Sequence, residues 1–185
     1  RTPDLVLGRL AGANAVGSFS VGYEIGSLPT TQLVGPINRA VLPGYARLQE
    51  SPDSLRQSYL EVLGMISFFA VPAGLGIAAV ASHLVPLFLG ENWTHIVPIV
   101  NDVAIAGAFG ALLTNNGSVL LALGRPHLLT LLLGARVLVL VPAIYIGATT
   151  AGAYGVASAY LIAVFADIEN SASLASAIFD PDLPP

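Results

Sequence analysis

Apolar stretches separated by short polar connections run along the whole chain, and they predict a series of membrane-spanning helices. A helix needs roughly 20 mostly apolar residues to cross a bilayer, and prolines, glycines and charges mark where each stretch stops. The pattern predicts the end of a truncated helix at residues 3–11 and five spans after it. The predicted limits of these spans are about 15–48, 55–81, 96–123, 127–147 and 154–177.

Prolines and small residues modify this series. Pro29 and Pro36 interrupt the first full span and predict bends. The segment SHLVPLFLGENWTH, residues 82–95, is too short to cross the bilayer and predicts an interfacial helix followed by a turn. Small residues at every fourth position near the end of the chain predict a close contact between helices in lipid. They are Gly147, Ala151, Gly155, Ala159 and Ala163.

The composition identifies the bilayer as the solvent of this chain. Hydrophobic residues make up 55% of it and charged residues 10%, and lysine is absent, whereas soluble domains are about 25% charged. The predicted fold class is therefore an all-α, polytopic membrane bundle. Because cysteine is absent and the three histidines share no ligand spacing, neither a metal nor a cofactor is predicted. The scattered arginines form no basic patch, so membrane lipids are expected partners and nucleic acid is not.

The ends of the chain and its arginines predict its organisation. The chain begins at Arg1 without a methionine or a signal peptide, so we expect a fragment of a longer protein. Residues 1–178 are predicted to form one transmembrane bundle, and residues 179–185, FDPDLPP, a polar tail. Arg47, Arg56 and Arg125 lie in two connections that we therefore expect in the cytoplasm, whereas the connections near Glu91 and Thr150 contain no arginine.

Polar residues recur within the first full span at steps of three and four, so they are expected to share one helix face. These residues are Ser20, Glu24, Ser27, Thr31, Gly35 and Asn38. Because lipid cannot satisfy them, they should either line a water-filled cavity or form hydrogen bonds with a neighbouring helix. Asn115 and Asn116 present a similar choice between bonds across helices and contact with a sugar.

Arg136 is the most deeply placed charge that the sequence predicts. It lies about nine residues into its span, roughly 13 Å along the helix axis and close to the middle of the bilayer. A cation at that depth usually faces a cavity, a counter-ion or an anionic ligand. Arg39 could instead extend to the headgroups. One of the acids in or near the spans could pair with Arg136, although Asp167 and Glu169 are expected in solvent near the cytoplasmic end. The candidate cavity residues are Arg136, Arg39, Glu24, Ser27, Thr31 and Asn38.

Three blocks of the sequence resemble, in the same order, the Wzx-type polysaccharide flippases. They are YEIGSLPTTQLVGPINRAVLPGYARL from Tyr23, VPAGLGIAAVASHLVPLFLGENW from Val71, and NNGSVLLALGRPHLL from Asn115. This family is a branch of the superfamily that includes the MATE drug exporters and the peptidoglycan lipid flippases. The resemblance implies the carboxy-terminal half of such a protein, a MATE-like bundle of about five transmembrane helices after a truncated first helix.

The resemblance also implies a function and partners. These are the export of a lipid-linked oligosaccharide, carried on a polyprenyl pyrophosphate, across the bacterial inner membrane by alternating access, and a missing amino-terminal half that completes the cavity. Alternatives are cation-coupled drug efflux and an inactive truncated fragment. A nucleophile elbow, a phosphate-binding glycine loop and a paired-carboxylate motif are all absent, so we do not expect an enzyme. A membrane polymerase would need a large outer loop with paired arginines, which residues 82–95 lack.

Overall fold

The computed structural model describes residues 7–9, 12–124 and 126–178, and every regular element among them is helical. Of the predicted truncated helix, residues 7–9 are described and helical, whereas the predicted tail at residues 179–185 lies outside the described residues. The elements, in chain order, are α1 (Gly12–Gly26), a π-helix (Pro29–Val34), α2 (Gly35–Arg47), α3 (Pro52–Leu89), a 3₁₀-helix (Glu91–Ile96), α4 (Val97–Ala122) and α5 (Pro126–Ile178).

Proline begins most of these helices. Pro36, Pro52 and Pro98 lie in the first turns of α2, α3 and α4, where a missing N–H costs nothing. Pro29 opens the π-helix, which separates α1 from α2 and accounts for the interruption predicted in the first span. Residues 12–47 thus form one broken helix.

The predicted interfacial helix at residues 82–95 is wrong. Helix α3 continues without a break to Leu89, because Ala81 and Val85 extend its buried face and pack into the core. The chain turns at Gly90, whose φ of 90° favours glycine, and the short 3₁₀-helix then leads into α4. Length and apolar composition would allow residues 52–89, 91–122 and 127–168 to cross a membrane.

Helix α5 is a hairpin of two arms, residues 126–150 and 153–178. Its backbone leaves the helical region at Ala151 and at Gly152, which has a φ of 59°. The two spans predicted here are therefore separate. The predicted ladder of small residues is not one continuous face, because Gly147 and Gly155 face each other across the hairpin. A Cβ on either glycine would overlap the carbonyl group of the other, so the two backbones are in direct contact.

Helix α4 is the centre of the bundle and packs against α1, α2, α3 and α5. Half of the most apolar 18-residue stretch of residues 91–122 is buried inside the protein. The corresponding stretches are 17% buried in α3 and 6% buried in α5. One apolar cluster, which includes Phe19, Ile99 and Val156, closes the end that carries the 3₁₀-helix. A second cluster, around Tyr45 and Leu55, closes the opposite end. We call these the 3₁₀ end and the Tyr45 end.

Candidate functional site

A small cavity with several polar side chains in its wall lies between the two ends of the bundle. It is bounded by α1, the π-helix, α4 and both arms of α5, and its volume is about 90 Å³. Gly107 and Gly110, which contribute its wall on α4, lie near the middle of that helix. The lining residues with polar side chains are Tyr23, Ser27, Thr30, Thr31, Thr114, Arg136 and Tyr160.

The π-helix determines which polar groups reach the cavity. It begins at Pro29, which has no N–H to donate, and the backbone N–H of Gly35 bonds to the carbonyl oxygen of Thr30, five residues earlier. Thr30 Oγ1 donates to the carbonyl oxygen of Gly107 at 3.0 Å, and Thr31 Oγ1 donates to that of Ser27 at 3.0 Å. These bonds satisfy threonine hydroxyl groups, for which lipid offers no partner.

Arg136 is the one charged residue among those described that line the cavity. Its Nε lies 3.1 Å from Oδ2 of Asp167, and the two side chains are 31% and 17% exposed. The prediction that Asp167 is solvated near the cytoplasmic end is therefore wrong. Arg136 and Asp167 are symmetric in sequence about Ala151 and Gly152, so the hairpin of α5 brings them to the same depth.

Two tyrosines complete the cavity wall beside Arg136. The rings of Tyr23 and Tyr160 meet edge to face, with centroids 5.8 Å apart. The side chain of Tyr160 also interacts with that of Arg136. Sequence reasoning missed both tyrosines, as well as Thr30 and Thr114. Tyrosines usually lie at the membrane surface, so the position of these two in mid-span was the available signal.

The structure brings three of the six candidate residues to the cavity, namely Ser27, Thr31 and Arg136. Asn38 lies next to it, where its Nδ2 donates to Oγ1 of the lining residue Thr114 at 2.7 Å. Its own Oδ1 is buried and accepts no hydrogen bond from the residues that the structure describes. A role of these residues in binding substrate stays a prediction.

Glu24 and Arg39 are not among the lining residues. Both side chains are exposed, and Arg39 Nε donates to the carbonyl oxygen of Gly35 at 3.3 Å. The inward face of α1 runs through Tyr23 and Ser27 and continues at Thr30. One residue corresponds to about 100° around a helix, so Glu24, which follows Tyr23, points away.

Asn115 and Asn116 form hydrogen bonds between helices, away from the cavity. Tyr45 Oη donates to Oδ1 of Asn115 at 3.0 Å, and Tyr59 Oη donates to Oδ1 of Asn116 at 2.6 Å. All four residues are buried. These bonds join α2 and α3 to α4 at the Tyr45 end, so the structural interpretation of the two asparagines fits.

The chemistry available to the cavity is binding through hydroxyl groups and one guanidinium. A volume of about 90 Å³ holds a few water molecules, whereas ligand pockets measure roughly 300–1,000 Å³. The cavity of this chain is therefore too small to enclose a sugar. Within the described ranges, no group of three histidine, aspartate or glutamate side chains is arranged to hold a metal ion.

Comparison with known proteins gives consistent matches. A family described as "polysaccharide biosynthesis protein" matches residues 1–98. The chain is 30% identical to the lipopolysaccharide biosynthesis protein WzxC of Escherichia coli (strain K12), over 85% of this chain and 32% of that protein. It is 32% identical to the teichuronic acid biosynthesis protein TuaB of Bacillus subtilis (strain 168), over 67% of this chain and 26% of that protein.

A membrane protein in the cps region of Klebsiella pneumoniae is 28% identical over 85% of this chain and 32% of its own length. The chain thus spans about a third of the length of the curated relatives it matches. No solved structure matches the chain.

Proposed function

The chain belongs to the polysaccharide biosynthesis protein family, as a multi-pass membrane protein of the Wzx type, and from this premise we propose that it is part of a flippase for lipid-linked oligosaccharides. The whole protein would move a saccharide unit on polyprenyl pyrophosphate across the bacterial inner membrane. The observation that carries the proposal is the cavity halfway along the helices, with Arg136 and several hydroxyl groups in its wall.

The cavity chemistry suits the headgroup of such a substrate. A pyrophosphate is anionic and hydrated, and a guanidinium binds phosphate oxygens through several parallel N–H groups. The hydroxyl groups of Ser27, Thr30 and Thr31 can exchange hydrogen bonds with sugar hydroxyls or with water. The polyprenyl tail can remain in lipid, because apolar side chains cover the outside of α3 and α5.

The size of the cavity fits a chain that forms one wall of a larger chamber. We propose that a second bundle, from the remainder of a full-length protein, faces this wall and that the two bundles rock against each other. Such motion about a site near the bilayer midplane is how transporters built from repeats alternate access. The groups of this cavity bind and release a headgroup, and transport of this kind makes and breaks no covalent bond.

A substitution of Arg136 in the full-length protein tests this proposal. Arg136→Gln should lower polymer export by roughly tenfold or more, the factor that a loss of about 1.4 kcal/mol of binding produces. The measurement is surface polysaccharide in a strain that lacks its own flippase, normalised to protein abundance. Arg47→Gln, which changes an exposed arginine at the end of α2, is the matched control. Unchanged export and abundance in Arg136→Gln would contradict the proposal.

Cation-coupled efflux of small molecules is the second candidate. The observation that favours it is the presence of two carboxylates within the helices. Asp167 lies beside Arg136, and Asp102 Oδ2 accepts a hydrogen bond from Ser158 at 2.6 Å. Efflux pumps use intramembrane carboxylates to carry a proton or a cation. A protein that raises resistance to cationic dyes without restoring polymer export would favour this candidate over the flippase.

A further inference from the structure

Arg136, the cation in the wall of the cavity, already has a counter-ion. Arg136 is paired with Asp167 through Nε, so the cation that the proposed headgroup needs is already partly neutralised. The pair is fixed in position, because the two arms of α5 are held together by the contact between Gly147 and Gly155. An incoming phosphate must therefore compete with a carboxylate that cannot diffuse away.

The geometry of the pair favours exchange. Asp167 Oδ2 is a buried atom, yet it accepts no hydrogen bond from the described residues, and its attraction to Arg136 lacks a directed N–H bond. Buried ion pairs are stable when directed hydrogen bonds also satisfy the charged groups. The carboxylate is thus a weaker partner than a phosphate that accepts two N–H groups of the guanidinium side by side.

We propose that Asp167 is a resident counter-ion that Arg136 exchanges for a phosphate group of the substrate. This inference rests on the proposed function and adds a positioning residue to it. In the empty cavity the ion pair offsets the cost of a guanidinium at bilayer depth. When the substrate is bound, its phosphate pairs with the guanidinium of Arg136, and Asp167 no longer has a cationic partner.

The exchange also provides a route to release. Because an unpaired carboxylate within the bundle is costly, Asp167 competes for Arg136 throughout the loaded state. Competition keeps binding of the headgroup weak enough to be reversed on the other side of the membrane. A neutral residue at position 167 should therefore bind substrate more tightly and transport it no faster.

Equilibrium binding to the purified full-length protein tests the exchange. The probes are farnesyl pyrophosphate, which carries a prenyl tail, and inorganic pyrophosphate, which does not. Asp167→Asn should bind farnesyl pyrophosphate about two- to fivefold more tightly than the unmodified protein, the gain expected when a partly exposed ion pair no longer competes. A gain with farnesyl pyrophosphate alone identifies a lipid-linked ligand, and an equal gain with both probes identifies free pyrophosphate as sufficient.

Matched variants separate the inference from the proposed function. Asp102→Asn also removes a carboxylate within the bundle, but its partner is Ser158, so its affinity should equal that of the unmodified protein. In an Arg136→Gln background, Asp167→Asn should give no gain. If Asp167→Asn does not fold, Asp167→Ser takes its place.

Two results would overturn the inference in distinguishable ways. An affinity in Asp167→Asn equal to or weaker than that of the unmodified protein, while Arg136→Gln abolishes binding, refutes the counter-ion and leaves the proposed function intact. Failure of every variant and of the unmodified protein to bind either probe refutes both. If Asp167→Asn binds a probe and the unmodified protein does not, the proposed role of Asp167 as counter-ion is supported, because Asp167 then blocks binding to Arg136.

Discussion

Several polar residues are tolerated in this bundle because they have specific partners. Asn115 is fully buried and bonds to Tyr45, Thr30 bonds to the backbone of Gly107, and Arg136 pairs with Asp167. An unpaired polar group in a dry interior is destabilising, because the surrounding lipid has no group that could form a hydrogen bond with it. The sequence identified Asn115 and Arg136 as unusual, whereas their partners are distant in sequence and follow only from the structure.

The bond between Tyr45 and Asn115 makes a stability prediction at this scale. Tyr45→Phe removes the donor and leaves Oδ1 of a fully buried asparagine without it. The full-length protein should lose about 1 kcal/mol of unfolding free energy, measured by denaturant titration in detergent. Tyr145→Phe, at an exposed tyrosine, should change it by less than about 0.5 kcal/mol. Equal losses in the two variants would contradict the assigned role of the bond.

At the scale of elements, the breaks in the helices position the cavity. The π-helix sends Thr30 and Thr31 towards α4 and α5, and the turn at Gly152 brings Arg136 level with Asp167. The sequence predicted an interruption at Pro29 and a division of the last apolar stretch into two spans. It did not predict the inward face of α1, because a period of three and four also fits a face rotated by one residue.

The glycine contact in α5 gives a prediction at the element scale. Gly155→Ala should lower the unfolding free energy of the full-length protein by about 1–3 kcal/mol, because its Cβ would overlap the carbonyl group of Gly147 and force the arms apart. Gly134→Ala, in the first arm where a Cβ meets nothing within 4 Å, is the control and should be tolerated. If both variants are equally stable in denaturant titration, the backbone contact does not hold the hairpin.

At the scale of the whole molecule, the bundle has the surface that a bilayer requires. Large apolar side chains such as Phe68, Leu87 and Leu138 are more than 70% exposed. In water they would form aggregation-prone patches, whereas in lipid they contact a solvent as apolar as themselves. The second bundle that we propose would cover part of this surface.

The orientation inferred from arginine positions is a prediction about the whole molecule. Single cysteines at Gln49, between α2 and α3, and at Asn92, in the 3₁₀-helix, would lie at opposite ends of the bundle. In a cysteine-free full-length protein, a membrane-impermeant maleimide should label Asn92→Cys in intact spheroplasts. It should label Gln49→Cys only after permeabilisation, because the connections that contain arginine are expected inside. The reverse pattern would invert the predicted topology.

The sequence by itself determined the solvent, the fold class and the family of this protein. Composition and the length of apolar stretches indicate the solvent and the fold class. The free energy of transfer into lipid is summed over many residues, so one unusual residue changes it little. The tertiary structure alone decided which side chains meet. Whether Glu24 or Tyr23 faces inward depends on a rotation of one residue, and the pairing of Arg136 with Asp167 depends on the turn at Gly152. Such contacts are set by the packing of helices distant in sequence, which no local pattern records.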